Sequence, residues 1–337
     1  MSKFKKVFSR NIEVSRLLVI MACWLVFVAI TQGSKFYSGK NFLTMAGQFP
    51  EYGLMVIGGM LPMMTGGIDL SLVGTANFTS ILCVFLTIHV FGADGVMPGA
   101  FGIVYFLIAF LVGIAVGSLN ALLVGKLNVP AILATLGVEE LLLGINIVIT
   151  GGAAISDFPK QFCDFFSGNI AGFLPWRLVV FIIAAIVIAF MLEKTTYGTK
   201  LRLYGTSAHV AEYSGINTTA LVFKTYIISS ICAAMGGLLM LATYSSARAD
   251  YGTNYTMQAI LIMVLGGVSP NGGKGKVSGA VTALILLKFI ESGINRFKNV
   301  STYYVTLIWG AVLIFALVLD YFGERPKKVK KVKVKEA

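Results

Sequence analysis

Residues 63–72 read MMTGGIDLSL, two glycines and an aspartate set between stretches apolar enough to lie in lipid. A carboxylate at that depth is costly unless it caps a helix, pairs with another group or faces water. Upstream, residues 43–65 form one apolar run; downstream, residues 73–92 form the next. The link between them therefore reads as a break between two membrane helices. Asp69 reads best as the N-cap of a helix starting near Leu70, with Gly66 and Gly67 ending the helix before it. The rival reading puts Asp69 on a substrate path.

The composition carries the same class. Of 337 residues, 57% are hydrophobic and only 12% charged, where soluble domains carry about 25% charged residues. Such a chain cannot solvate a globular surface. A crossing needs roughly 20 apolar residues. Candidate runs lie at 15–32, 43–65, 73–92, 98–125, 129–150, 177–193, 220–243, 256–267, 277–292 and 302–320. The expected fold is an all-α polytopic membrane protein of about ten transmembrane helices, some broken or re-entrant. The run 256–267 is too short to cross alone unless it is extended or re-entrant. Pro50, Pro62 and Pro130 lie in or beside apolar runs, where a broken helix needs protein or water to satisfy the freed backbone.

Charge orients the chain. The net charge of +12 gathers at Lys3, Lys5, Lys6 and Arg10, in the loop with Lys194, Lys200, Arg202 and Lys224, at Lys274 and Lys276, and in the closing run ERPKKVKKVKVKEA. Positive segments stay inside. This gives a cytoplasmic segment 1–14, a transmembrane domain 15–322 and a basic cytoplasmic tail 323–337, with both termini cytoplasmic. The tail suits anionic membrane lipid; the charge is no nucleic-acid signal. The first apolar run has no small-x-small cleavage site after it, so it reads as an uncleaved span. Cys23, Cys83, Cys163 and Cys232 are scattered, and His89 and His209 stand far apart, so no metal or disulfide framework is expected. GGKGKVSG fails the spacing of a phosphate loop. No cofactor is expected, no catalysis either, and any driving energy comes from a partner or an ion gradient.

Three sets of residues carry candidate function. In the loop at about 194–219, Ser207 is placed to cap a short helix from Ala208 to Tyr213, Gly215 to end it in the left-handed conformation, and Asn217 to cap the next span. Within the spans, the amides of Gln48, Asn77, Asn120 and Asn146 suit a path for a polar solute or, equally, glue between helices. Glu139 and Glu140 sit near the middle of a span. Adjacent helical residues point about 100° apart, so one is expected to be protonated or hydrogen-bonded to a neighbouring helix and the other to face a wet cavity or a subunit interface. There is also an internal echo: GGIDLSLVGTANFTS from Gly66 and GGVSPNGGKGKVSGA from Gly266 each follow an apolar run and enter a helix rich in small residues.

The loop TTYGTKLRLYGTSAHVAEYSGIN resembles that of the ribose-type simple-sugar permeases of bacterial ABC importers, with Ser214, Gly215, Ile216 and Asn217 matching. TGGIDLS, LNALLVGKLNVPAILATLG, VITGG and VLGGVSPNGGKGKVSGA resemble further family stretches, in order, from about Gly66 to Asp320. Glu139 and Glu140 stand where the family commonly has uncharged residues. The resemblance implies a permease in a bacterial plasma membrane, paired with a second permease subunit, a cytoplasmic ABC ATPase that binds the ATP, and an extracytoplasmic solute-binding protein. It implies a simple sugar or similar small polar solute, such as a pentose, hexose or nucleoside. Ser207, Ala208, Glu212, Ser214, Gly215, Ile216 and Asn217 become the candidates for coupling to the ATPase. An ion-coupled secondary transporter using Glu139 and Glu140 is the alternative reading, and a non-transporting membrane receptor or assembly subunit a third.

Overall fold

The computed structural model describes residues 12–33, 36–91, 100–170, 172–297 and a few positions between 304 and 314. In chain order the helices are α1 (Ile12–Gln32), α2 (Gly39–Gln48), α3 (Pro50–Met64), α4 (Leu72–Leu86), α5 (Ala100–Ala121), α6 (Ala131–Thr150), α7 (Gln161–Ser167), α8 (Trp176–Lys194), α9 (Thr196–Thr206), α10 (Ala208–Tyr213), α11 (Thr218–Tyr244), α12 (Tyr255–Leu265) and α13 (Val277–Ile294). Wider π-helical turns, Thr87–Phe91 and Leu122–Lys126, extend α4 and α5. Two-residue strands β1 (Asn169–Ile170) and β2 (Leu174–Pro175) pair antiparallel before α8.

Seven helices among the described residues are long and apolar enough to cross a membrane: α1, α4 and α5 with their π turns, α6, α8, α11 and α13. The run 43–65 is not one helix but two, divided at Phe49. Pro50 opens α3 at its first position, where its missing N–H is no loss. The run 256–267 is the short helix α12. The expected tenth run, 302–320, and the terminal segments 1–11 and 323–337 lie wholly or mostly outside the described residues.

The bundle is built around α3 and α11. All fifteen residues of α3 are buried, as expected of a helix apolar on every side. In α11, 78% of the apolar window is buried, against 11% in α1, so α11 is central and α1 peripheral. Glycine permits the close packing. A Cβ on Gly58 of α3 would lie 2.6 Å from the Cys232 Cβ of α11, and one on Gly113 of α5 would lie 2.6 Å from the Ile231 Cα. Small residues of this kind let backbones approach where lipid supplies no hydrophobic drive. The outer faces of α5 and α8 carry exposed Leu107, Leu111, Ile183, Ile186 and Phe190, which suits a surface bathed in lipid.

Candidate functional site

The GGIDLS link is a buried junction. Gly66 takes a left-handed conformation, φ 82°. Its N–H and that of Gly67 donate to the carbonyls of Met63 and Pro62 at 3.0 and 3.1 Å, closing α3. Asp69 does not cap the next helix. That helix starts at Leu72, and Ser71 stands at its N-cap without a side-chain cap bond. Asp69 instead forms an Asx turn, accepting from the Ser71 N–H at 3.0 Å and the Ser71 hydroxyl at 2.7 Å on Oδ1. Its Oδ2 accepts from the Ser229 hydroxyl of α11 at 2.8 Å. The carboxylate is 2% exposed, and both of its oxygens are bonded.

The cap of α4 comes from α6. Glu139 Oε2 accepts from the Gly74 N–H in the first turn of α4 at 2.7 Å, and a Cβ at Gly74 would lie 3.0 Å from its carboxyl carbon. One turn earlier, Thr135 donates to the Ile68 carbonyl at 3.0 Å and accepts from the Leu70 N–H at 3.0 Å. One face of α6 thus supplies the backbone partners that the link lacks. Glu139 meets the expectation of a glutamate bonded to a neighbouring helix. Glu140 points away and is exposed beside Leu136, Gly137 and Leu141.

The four amides separate. Asn77 is buried and donates to the carbonyls of Ala249 and Tyr251, both at 2.9 Å, pinning the loop after α11. Asn120 is buried and donates to the Ser71 hydroxyl at 2.7 Å. Asn146 is buried without a side-chain hydrogen bond among the described residues. Gln48 is exposed at the end of α2, on the rim of a polar recess of about 230 Å³ with Asn41, Lys288, Glu291 and Arg296. Asp69 and Asn120 come together at Ser71; Gln48 and Asn146 stay apart from them.

The second glycine link, after α12, mirrors the first with a shift of one residue. Gly267, not Gly266, takes the left-handed conformation, φ 81°. The Gly267 and Val268 N–H groups donate to Val264 and Met263 at 2.9 Å each. The two links touch: the Gly273 N–H donates to the Met64 carbonyl at 2.9 Å. Gly205, near the end of α9, closes the junction. A Cβ there would fall on the Met64 carbonyl oxygen and the Gly273 nitrogen.

Beyond Gly205 the chain enters the loop singled out from sequence. Ser207 Oγ accepts from the Val210 N–H at 3.3 Å and Asn217 Oδ1 from the Ala220 N–H at 2.8 Å, so each caps a helix. Gly215 has φ 74°, and the Gly215 and Ile216 N–H groups bond the Glu212 and Ala211 carbonyls at 2.9 and 3.1 Å. Ala208, Glu212, Ser214, Gly215 and Asn217 are exposed, while Ala211 is buried and Ile216 half-buried, anchoring α10. Sequence reasoning passed over Tyr213, 92% exposed, and Val210, 50% exposed; apolar residues on a polar loop were the available signal. Tyr197 fastens α9 to α11 through the Thr225 hydroxyl at 3.0 Å, and burial pushes its phenol up to about 12, so it stays neutral.

Sequence reasoning also missed Glu51. It lies in the first turn of α3, 3% exposed. Its Oε1 accepts from the Tyr255 hydroxyl at 2.6 Å, and the Tyr244 hydroxyl stands 3.4 Å from it. The signal was a carboxylate directly after a proline inside an apolar run, but its partners are about 200 residues away.

Comparisons with known proteins agree with this architecture. A family model described as branched-chain amino acid transport system / permease component matches residues 41–317. The chain is 28% identical to the ribose import permease protein RbsC of Escherichia coli K12 over 302 residues, covering 88% of this chain and 91% of that one. It is 29% identical to the galactose/methyl galactoside import permease protein MglC of the same strain, over 96% of this chain and 98% of that one. It is 30% identical to the autoinducer 2 import system permease protein LsrD of Escherichia coli SMS-3-5, over 79% of each. With most of its length matched and an all-α bundle of membrane-length helices, the chain belongs to the branched-chain amino acid transport system / permease component family, as a multi-pass permease of the ABC importer type.

Proposed function

We propose that this chain forms the membrane path of an ABC importer for a simple sugar or similar polyhydroxylated solute. In this reading it pairs with a second permease subunit, a cytoplasmic ATPase drives it, and an extracytoplasmic solute-binding protein delivers the solute. Both termini and α10 lie on the cytoplasmic side, and the chain itself catalyses no reaction. The ribose, galactose and autoinducer 2 import permeases support the solute class over a branched-chain amino acid.

The observation that carries the mechanism is the contact at Gly205. The exposed helix α10, with Tyr213 and Val210 outward, is the element an ATPase would move. Its cap, Ser207, is two residues from Gly205, and Gly205 abuts the junction where α3 ends and the link after α12 returns. A shift of α10 is therefore delivered to two helices at once. At 1.5 Å per residue, α3 carries that shift over about 20 Å, from Met64 to Pro50. Ser207, Ala208, Glu212, Ser214, Gly215, Ile216 and Asn217 are the coupling residues in this proposal, and Gln48 and Asn146 remain the candidates for the solute path. Asp69, Asn77 and Asn120 are assigned to holding the path's walls, because their bonds are internal.

The test is solute uptake into proteoliposomes holding the permease with its ATPase and binding protein. Uptake of a sugar that requires ATP and persists without an ion gradient supports the proposal. Uptake that needs a proton gradient and fails in Glu139→Gln or Glu140→Gln would replace it with an ion-coupled carrier. Within the importer, Gly215→Val should abolish coupling while the protein stays in the membrane, since a β-branched residue is strongly disfavoured at positive φ. Unchanged uptake and unchanged ATPase stimulation would remove α10 from the mechanism.

A further inference from the structure

Where α3 and α12 point away from the Gly205 junction, their opposite ends meet in a polar cluster. Glu51 in the first turn of α3 and Tyr255 at the start of α12 are joined at 2.6 Å. Tyr244, at the end of α11, bonds Tyr255 at 2.9 Å and is 41% exposed, so the cluster reaches the surface. Two groups in it are left open. Glu51 Oε2 and Arg177 Nε are buried without hydrogen-bond partners among the described residues. The Thr243 hydroxyl lies beside the carboxylate but donates to the Leu239 carbonyl and accepts from Arg177 Nη1 at 2.6 Å. A buried carboxylate oxygen with no partner is expensive. An intramembrane ionisable group kept in that state marks a functional position.

We propose that Glu51, Arg177, Tyr244 and Tyr255 form a recognition site for a neutral polyhydroxylated solute at the outer mouth of the permease. The inference rests on the sugar-importer reading above. The chemistry of the groups selects the ligand. The two carboxyl oxygens of Glu51 are acceptors for two neighbouring hydroxyl donors. A guanidinium only donates, and serves a ring or hydroxyl oxygen of the same molecule. Tyrosine adds a flat apolar face with a polar tip. Tyr244 and Tyr251 supply adjoining faces, their ring centres 4.8 Å apart. In the present arrangement Tyr255 holds Oε1; a solute diol takes Oε2 first and then displaces the phenol. Because Glu51 and Tyr255 sit at the far ends of the helices that meet near Gly205, breaking their bond is what movement of the cytoplasmic loop would accomplish.

The experiment compares ATP-driven uptake of D-ribose, D-galactose and D-allose, each against its 2-deoxy analogue, with L-leucine as a further probe, in the complete reconstituted importer. The parent should prefer the intact diol of its sugar by about tenfold or more, as sites built to bond a hydroxyl do. In Glu51→Gln this ratio should fall toward one, and in Tyr244→Phe, which keeps the ring at a partly exposed position and so preserves the fold, by about threefold, the scale of one neutral hydrogen bond. A merely structural role for these residues would lower uptake of both members of a pair equally. Parent uptake of a sugar with an unchanged ratio in both variants overturns the site alone. Parent uptake of leucine and of no sugar overturns the sugar-importer reading and this ligand class together.

Discussion

Among the described residues two carboxylates lie buried, Glu51 and Asp69, and their bonding differs. Asp69, in the link that follows the C-terminal end of α3, has both oxygens bonded, to Ser71 and Ser229. Glu51, at the other end of the same helix, has one oxygen bonded to tyrosines and one bonded to nothing among the described residues. Serine is short, and its hydroxyls reach Asp69 from fixed backbone. The phenols on Glu51 come from residues at the ends of α11 and α12, one of them open to the surface. A saturated buried carboxylate holds structure; one with an open valence is free to take a ligand. In the proposed importer the first belongs to the junction that receives motion, and the second to the mouth that receives solute.

The contrast can be broken most severely at the junction between the two ends. Gly205→Ala should cost about 3 kcal/mol or more, since the added Cβ meets backbone that no rotamer change relieves. Its thermal midpoint in detergent should fall sharply, with loss of folded yield; a normal midpoint would mean that α9 does not abut α3 as described. Next comes Asp69→Ala, which leaves the Ser71 and Ser229 hydroxyls and one backbone N–H without their acceptor. A loss of about 1–3 kcal/mol is expected by denaturant titration. Asp69→Asn retains an acceptor for Ser71 and should lose less than half of that. Glu139→Ala removes the bond to the first turn of α4 and should cost about 0.5–2 kcal/mol, the range of a lost cap. Glu139→Gln keeps an accepting oxygen and should sit near the parent. If the glutamine variant matched the alanine variant in stability, the charge rather than the cap would be what α4 requires. Gly215→Ala closes the series with an effect of the same order as the lost cap. Its surroundings are open, so only the left-handed backbone is strained, about 1–2 kcal/mol, confined to a loop that can adjust.

Features that depend on neighbours in sequence were legible before the structure. Ser207, Gly215 and Asn217 each act within four residues, and each does what its residue type suggests. Nine of the ten apolar runs carry described helices, and Pro50 marks where one of them divides, while Pro62 lies inside α3. What was not legible depends on partners far along the chain. Asp-x-Ser at 69–71 supports both an N-cap and an Asx turn. Only the position of Ser229, 160 residues away, and the late start of α4 at Leu72 select the second. The internal echo was visible as paired glycines, yet the residue that turns is the first of one pair and the second of the other, because α12 ends on Gly266 while α3 ends on Thr65. Glu51 was hidden because its value lies in Tyr244 and Tyr255, 193 and 204 residues distant. The amides were visible, but a buried amide that pins a loop and one that lines a path read alike.

The most direct test sets the two carboxylates side by side. Asp69→Asn and Glu51→Gln each replace an acid with its amide, and both would be reconstituted with the same ATPase and binding protein and compared in ATP-driven sugar uptake at equal membrane content. Asp69→Asn should transport at close to the parent rate, with any loss appearing in thermal stability, while Glu51→Gln should keep its stability and lose uptake by about tenfold, the scale of one hydrogen bond to the solute. An Asp69→Asn protein that folds normally but does not transport, beside a Glu51→Gln protein that does, would contradict it.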